Sequence, residues 1–189
     1  MRAIATVRTV REASIAQDAP RLSISLVGRL ALRLDGRPLE LRTRKAAAVL
    51  GYLALTEAKQ ESRERLVGLL WSRSDEEKAR ASLRQVVREL RQILEEAGFS
   101  GFNAGRLTVG FDRGQVDVDI ESILQQAENA RIHPLLLDTP RLDDALLEGL
   151  DDLDPSFRVW ILAKRQTIHD RLMRSLEAGL TAADAAGQP

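Results

Sequence analysis

Apolar and polar residues alternate along LSISLVGRLALRLDGRPLEL (22–41). Leu22, Ile24 and Leu26 share one face, and Leu30, Leu32 and Leu34 repeat the period of two. Leu39 and Leu41 resume it after the turn signal Asp35-Gly36-Arg37-Pro38. A period of two predicts half-buried strands, here a small antiparallel sheet. The period then changes. Thr43 can cap a helix over 44–58 with Val49, Leu50, Tyr52 and Leu53 on its apolar side. Ser62 starts a short helix over 63–71 that buries Leu66, Leu69 and Leu70. A longer helix opens at Ser74-Asp75-Glu76-Glu77 and stops near Glu96, before Gly98. Ser74 and Glu77 have capping-box spacing there, and three acids stand in the positive first turn. Residues 98–120 return to short alternating runs broken by Gly105-Arg106 and Asp112-Arg113-Gly114. They predict a β-hairpin with its tip near 104–106, then a strand or extended link. The remainder predicts helices over 120–131, 141–149 and from Pro155 to Ala186.

The longest of the first three helices carries an unusual face. In ARASLRQVVRELRQIL (79–94), Arg91, Arg84 and Arg88 fall about 20°, 40° and 80° from Arg80 on a helical projection. Leu83, Val87, Leu90 and Leu94 cluster on an adjacent side, widened by Val86 and Ile93. Like charges one turn apart destabilise a helix, and a solvated face usually mixes signs. A solvated face remains one reading. The other is a side built for a polyanion, because the guanidinium fork binds phosphate and pairs with guanine O6 and N7, and Gln85 can read adenine. Arg44 and Lys45, and Arg63 and Arg65, stand at the starts of the other two helices, where cations oppose the helix dipole but complete an anion site. A short helix, a turn around Trp71-Ser72-Arg73-Ser74, a longer basic helix and a hairpin follow helix-turn-helix order with a wing.

Bulk charge conceals this pattern. The formal net charge is zero, yet residues 1–115 hold 21 Lys and Arg against 14 Asp and Glu, whereas residues 116–189 hold 7 against 14. Two opposite halves suggest different partners for each. With 44% apolar but only 4% aromatic residues, the core is expected to be aliphatic. The chain has no cysteine, which excludes a disulfide framework and a cysteine metal site and suits the cytoplasm. No apolar run approaches the roughly 18 residues of a membrane helix. The first 20 residues lack the apolar region of a secretory signal and are expected to be a mobile tail.

Catalytic patterns are missing. His133 and His169 form no HExxH, Gly98, Gly101 and Gly105 form no GxGxxG, and no serine sits in a nucleophile elbow. Asp143-Asp144 and Asp151-Asp152-Asp154 could suggest a hydrolase pair or cation site, but read more simply as the surface of an acidic interaction domain. No enzyme activity, cofactor or metal is expected.

SRERLVGLLW followed by ARASLRQVVRELRQIL, after LVGRLALRLDGRPLEL and TRKAAAVLGYLAL, resembles the winged-helix domain of the SARP-type transcriptional activators, whose DNA-binding part is of the OmpR type. The resemblance covers 22–120. ALLEGLDDLDPSFRVWILAKRQTIHDRL (145–172) resembles the bacterial transcriptional activator domain that follows the wing in this family, and VDVDIESI (116–123) looks like its entry.

The resemblance implies an α+β fold. An OmpR-like winged helix-turn-helix, with an N-terminal small antiparallel sheet, three helices and a β-hairpin wing, precedes an all-α, TPR-like segment. The implied division is a tail over 1–20, a winged DNA-binding domain over 21–115 and a partial activator domain over 116–189. That last part is shorter than the family's usual domain, so a truncated or shorter member is expected.

The helix over 75–96 would be the recognition helix, with Arg80, Arg84, Gln85, Arg88 and Arg91 at or near the major groove. Ser62, Arg63 and Arg65 would hold phosphates, as would Arg44 and Lys45, and Arg106 at the wing tip would reach backbone or minor groove. Ser72, Arg73, Ser74 and Asp75 match a loop offered to RNA polymerase. Trp71 is expected in the core, and Phe157 and Trp160 as packing anchors. The function implied is sequence-specific activation of transcription, with double-stranded DNA and RNA polymerase as partners and two protomers on direct repeats. The alternative is a protein-interaction or sensory N-terminal module of a longer protein with DNA binding lost. Salt-sensitive DNA binding and the length of the native reading frame separate the two.

Overall fold

The structure is a computed structural model that describes residues 20–139, 141, 142 and 145–185. Apart from Pro20, the expected N-terminal tail lies outside them. In chain order the elements are β1 (Leu22–Ser25), β2 (Ala31–Leu34), β3 (Arg37–Leu39), α1 (Arg44–Leu55), β4 (Gln60–Ser62), α2 (Arg63–Leu70), α3 (Glu76–Glu96), β5 (Phe102–Ala104), β6 (Thr108–Phe111), a 3-10 turn (Arg113–Gln115), β7 (Val116–Val118), α4 (Asp119–Glu128), α5 (Pro134–Asp138) and α6 (Pro155–Ala185).

The alternation over 22–41 gives the first sheet. Leu22 and Ile24 pair with Leu34 and Leu32 across β1 and β2, and all four are buried. Asp35 and Gly36 both have positive φ, which a two-residue hairpin turn between twisted strands requires. The sheet is larger than the alternation predicts, and mixed rather than purely antiparallel. Its order is β3-β2-β1-β7, with β7 parallel to β1 and Leu22 opposite Val116. Val116 and Val118 point inward, while Asp117 points out and accepts from Arg21 Nε at 2.8 Å.

Thr43 caps α1 through Ala46 N at 3.1 Å, as predicted, but the helix ends at Leu55, short of the expected 58. Lys59, at φ 49°, redirects the chain into β4, which sequence patterning did not reveal. That strand pairs with β6 in a second sheet of order β4-β6-β5. α3 is capped by Asp75, not Ser74. The Asp75 carboxylate accepts from Glu77 N at 3.0 Å and Lys78 N at 3.3 Å, using the two backbone donors nearest it. Along α3, Leu83, Val86, Val87, Leu90 and Leu94 are buried, and side chains of this size contribute roughly 1.5–3 kcal/mol each on full burial.

The helix expected over 141–149 is absent from the described residues. Residues 145–149 instead form turns around a bridge between Leu146 and Val27. Gly28 N donates to Ala145 O, Leu147 N to Leu26 O and Glu148 N to Gly28 O, all within 2.9 Å. Backbone groups that would close helical turns therefore complete the end of β1, and positive φ at Leu147 and Gly149 prevents helical continuation. The leucine spacing is real but serves burial, since Leu142, Leu146, Leu147 and Leu150 are all in the core. α6 packs on α4 and on α2. Phe157 is fully buried, and Trp160 stacks at a tilt on Tyr52, with ring centroids 4.7 Å apart. The C-terminal segment is thus seated against α2, the helix that starts with Arg63 and Arg65.

Candidate nucleic-acid interface

Local chemistry positions the basic side chains. Ser62 ends β4 and caps α2, its hydroxyl accepting from Arg65 N at 3.1 Å. Trp71 closes α2 as a partly buried residue packed on the core, with the Lys45 ammonium 5.1 Å from its ring centroid. The turn then reverses the chain into α3, whose apolar stripe seats the helix and leaves its arginines outward.

The four arginines of α3 are not equivalent. Arg80 is ion-paired with Glu76, one turn earlier. Arg91 donates through Nη2 to Ala104 O in the hairpin at 2.7 Å, and its Nε is 4.0 Å from Glu95. Arg84 and Arg88 are exposed and have no hydrogen bond or ion pair to any described residue. Gln85 is exposed between them. The one acid among them, Glu89, turns to α1 and accepts from Arg42 N and Thr43 Oγ1 at 3.1 and 3.4 Å.

Arg63, Arg80, Arg84 and Arg106 line one groove of about 720 Å³ between α2, α3 and the hairpin, together with Ser62 and Leu107. Burial, and then the Arg91 and Arg84 charges, push the Arg63 guanidinium below its ordinary value. Four arginines thus face one lining acid, Glu64, with Arg80 also paired to Glu76, and positive charge outnumbers negative here, a condition in which a bound anion relieves repulsion. Arg106 is exposed at the hairpin tip, and so is Leu107, at 75%. Leu107 was missed by the sequence reading, which treats an apolar residue in LTV as one more strand position.

Two expected phosphate contacts lie elsewhere. Arg44 binds Asp152 and the carbonyl of Gly149, and Lys45 Nζ donates to the carbonyls of Leu70 and Leu153. Both side chains join α1 to the segment before α6, because the acids of that segment lie beside the α1 N-terminus. In the described structure both are engaged within the chain rather than turned to the basic groove. Arg65 lies at the Tyr52 hydroxyl, which donates to Glu61 at 2.8 Å. Burial first, and the Glu61 contact second, raise the Tyr52 phenol, with Arg65 opposing.

The turn Ser72–Asp75 is exposed, but anchored at one end. Ser72 donates through N and Oγ to the buried Asp154 carboxylate, at 2.9 and 2.6 Å. Asp154 also accepts from Ser156 N at the start of α6. The acidic run expected as open surface is in fact paired: Asp151 with Arg165, Asp152 with Arg44, and Asp154 with Ser72. Asp143 and Asp144 lie outside the described residues. Among the described residues no cluster of three metal-ligating side chains occurs, and no helix is long and apolar enough to cross a membrane.

No family model matches the chain. Curated relatives do. The transcriptional regulatory protein MoaR1 of Mycobacterium tuberculosis is 32% identical over 111 residues, covering 55% of this chain and 35% of MoaR1. The transcriptional regulatory protein EmbR of the same organism is 35% identical over 78 residues, covering 41% of this chain and 20% of EmbR. This chain thus spans about a third or less of the length of these relatives. A solved structure of Mycobacterium tuberculosis EmbR, in complex with a low-affinity phosphopeptide, superposes with a TM-score of 0.63 at 21% identity, over 89% of this chain and 47% of that one. That match supports the fold: an OmpR-like winged helix followed by a helical segment. In sequence this chain is similar to the transcriptional regulatory proteins MoaR1 and EmbR, and in fold to EmbR, which supports its resemblance to the SARP-type regulators.

Proposed function

We propose that this chain regulates transcription by binding double-stranded DNA sequence-specifically, with α3 in the major groove and the β5–β6 hairpin as a wing. The observation that carries the reading is the exposed pair Arg84 and Arg88, without partners among the described residues and flanking Gln85, beside the basic groove shared with α2 and the wing tip. In this reading Arg84, Gln85 and Arg88 read base edges. Arg80 exchanges Glu76 for a phosphate, the α2 N-terminus at Ser62 and Arg65 grips backbone, and Arg106 follows backbone or minor groove. The exposed turn Ser72–Asp75 is offered to RNA polymerase, and two protomers occupy direct repeats.

Anisotropy of labelled duplex pools at several salt concentrations, with sequencing of the bound fraction, tests the reading. The expected result is salt-dependent binding with an enriched repeat. Binding no tighter than the roughly 10⁻⁴–10⁻⁶ M of non-specific contact would overturn it and favour a protein-interaction or sensory module. Activation itself is tested by transcription from a promoter carrying the enriched repeat. Substitution of Arg73, exposed in the loop, is expected to lower transcription without weakening DNA binding.

A further inference from the structure

Three carbonyls at the wing tip are held from outside the hairpin. Arg91 Nη2 on α3 donates to Ala104 O at 2.7 Å, Arg63 Nε on α2 to Gly105 O at 2.9 Å, and Arg63 N to Leu107 O at 2.8 Å. Beside them, Gln60 Nε2 donates to Thr108 Oγ1 at 2.8 Å, and Ser62 pairs with Thr108 in the β4–β6 ladder. A hairpin tip of this kind usually leaves such carbonyls to water. Here two of them, Ala104 O and Gly105 O, are fixed by guanidiniums whose charges repel, since Arg91 and Arg84 both depress Arg63, and Leu107 O is held by the Arg63 backbone N–H.

We infer that Arg63 and Arg91 are positioning residues, whose side chains set the wing relative to α3 by holding the Gly105 and Ala104 carbonyls, rather than phosphate contacts. The inference rests on the DNA-binding reading. It divides the basic residues in two. Arg84, Arg88 and Arg106 point outward, whereas Arg63 and Arg91 have N–H groups directed at the protein's own backbone. The N–H that each donates to a carbonyl is lost to a phosphate, and the salt slope tests the N–H groups that each guanidinium keeps. The brace fixes how far Arg106 and Leu107 stand from α3, and so the spacing between what α3 reads and what the wing touches.

The chemistry of glutamine supplies the test, because its Nε2 lies at the same chain position as arginine Nε but carries no charge. Arg63→Ala should weaken specific duplex binding about two- to tenfold, the scale of one hydrogen bond, with the salt slope unchanged. Arg63→Gln should restore most of the affinity. On an Arg106→Ala background Arg63→Ala should add little, because the wing contact it positions is already gone. Loss in Arg63→Gln equal to that in Arg63→Ala, with a slope shallower by about 0.9, would make Arg63 a phosphate contact and overturn the inference.

Hydrogen exchange without DNA separates failure of the brace from failure of the DNA reading. Amides over 104–108 should exchange faster in Arg63→Ala and Arg91→Ala, but not in Arg84→Ala or Arg63→Gln. Unchanged exchange in the two alanine variants overturns the brace whatever the chain binds. Absence of duplex binding by the unsubstituted chain overturns the DNA reading and the positioning role with it, while the exchange still reports whether the brace exists.

Discussion

Two runs of like charge stand out in this chain, the arginines of α3 and the acids Asp151-Asp152-Asp154, and the fold treats them oppositely. Each carboxylate of the acidic run meets a donor from another element: Asp151 meets Arg165, Asp152 meets Arg44 and Asp154 meets Ser72. On α3, Arg84 and Arg88 meet nothing among the described residues, and the nearby Glu89 is turned to α1. The acidic run is a clamp that seats the C-terminal segment. The basic run is matched only at Arg80 and Arg91, and Arg84 and Arg88 are left without a partner among the described residues. A charge run acquires meaning from the partners the fold brings to it, and spacing alone does not show which runs will be matched.

The comparison breaks most readily at Asp154. Asp154→Ala removes the acceptor for Ser72 N and Oγ and for Ser156 N. Loss of a helix-start acceptor and of charge-assisted hydrogen bonds at a buried site should destabilise the chain by about 2–4 kcal/mol. Urea unfolding measures it. Arg84→Ala and Arg88→Ala, by contrast, should change stability by less than about 0.5 kcal/mol. A stability loss of equal size on both sides would mean that the arginines are structural after all.

The reverse holds for binding. Arg84→Ala or Arg88→Ala should cost about 1–3 kcal/mol of specific affinity and relax preference at one base pair, if that guanidinium makes a bidentate guanine contact. Anisotropy against the enriched site and its single-base variants reads both effects. No loss in either variant would remove α3 from its proposed role.

Much of the fold was legible because it depends on local period. Leu22, Ile24, Leu32 and Leu34, Thr43, and the stripe from Leu83 to Leu94 behave as patterning predicts. What escaped depends on distant partners. β4 is three polar residues, Gln60–Ser62, with no alternation to reveal it, and it exists because β6 offers a free edge. Leu142, Leu146 and Leu150 mimic a helix, but the backbone there completes β1. At the candidate site the sequence supplied the arginines and missed their division of labour. The positions of Arg44, Lys45, Arg63 and Arg91 follow from acids and carbonyls far away in the chain. Asp154 looks like surface in the sequence, because the burial that gives it value comes from tertiary packing.

Gly110 sharpens the point about β4. A Cβ there would lie 2.6 Å from Lys59 O and 2.8 Å from Gln60 Cα, both backbone atoms. Gly110→Ala should therefore force β4 away from the hairpin and destabilise the chain by about 1–2 kcal/mol, within the range of overpacked sites. Because β4 leads into the α2 N-terminus, the same substitution should weaken duplex binding where Arg84→Ala leaves stability intact. Unchanged urea midpoints would show that the β4–β6 pairing is loose enough to yield.

The smallest effect expected is a pH dependence, and it probes the acidic side of the comparison alone. The Arg44 hydrogen bond holds the Asp152 carboxyl below its ordinary range, against a small opposing effect of desolvation. A carboxyl whose folded value is depressed stabilises the fold above its unfolded value, and that contribution disappears as pH falls through the folded one. The Arg21 hydrogen bond depresses Asp117 in the same direction. Both pairs are exposed, so solvent screening keeps each contribution small. Arg44→Ala should lower stability slightly at neutral pH, flatten the acid limb of the stability curve and converge with the unsubstituted chain once the carboxyls are protonated. Arg88→Ala has no carboxylate to release and should leave the acid limb unchanged. Urea midpoints measured from neutral pH down through the carboxylate range compare the two variants. An acid limb flattened equally in both would show that Arg88 senses a carboxylate in solution, erasing the distinction between a matched run and an unmatched one.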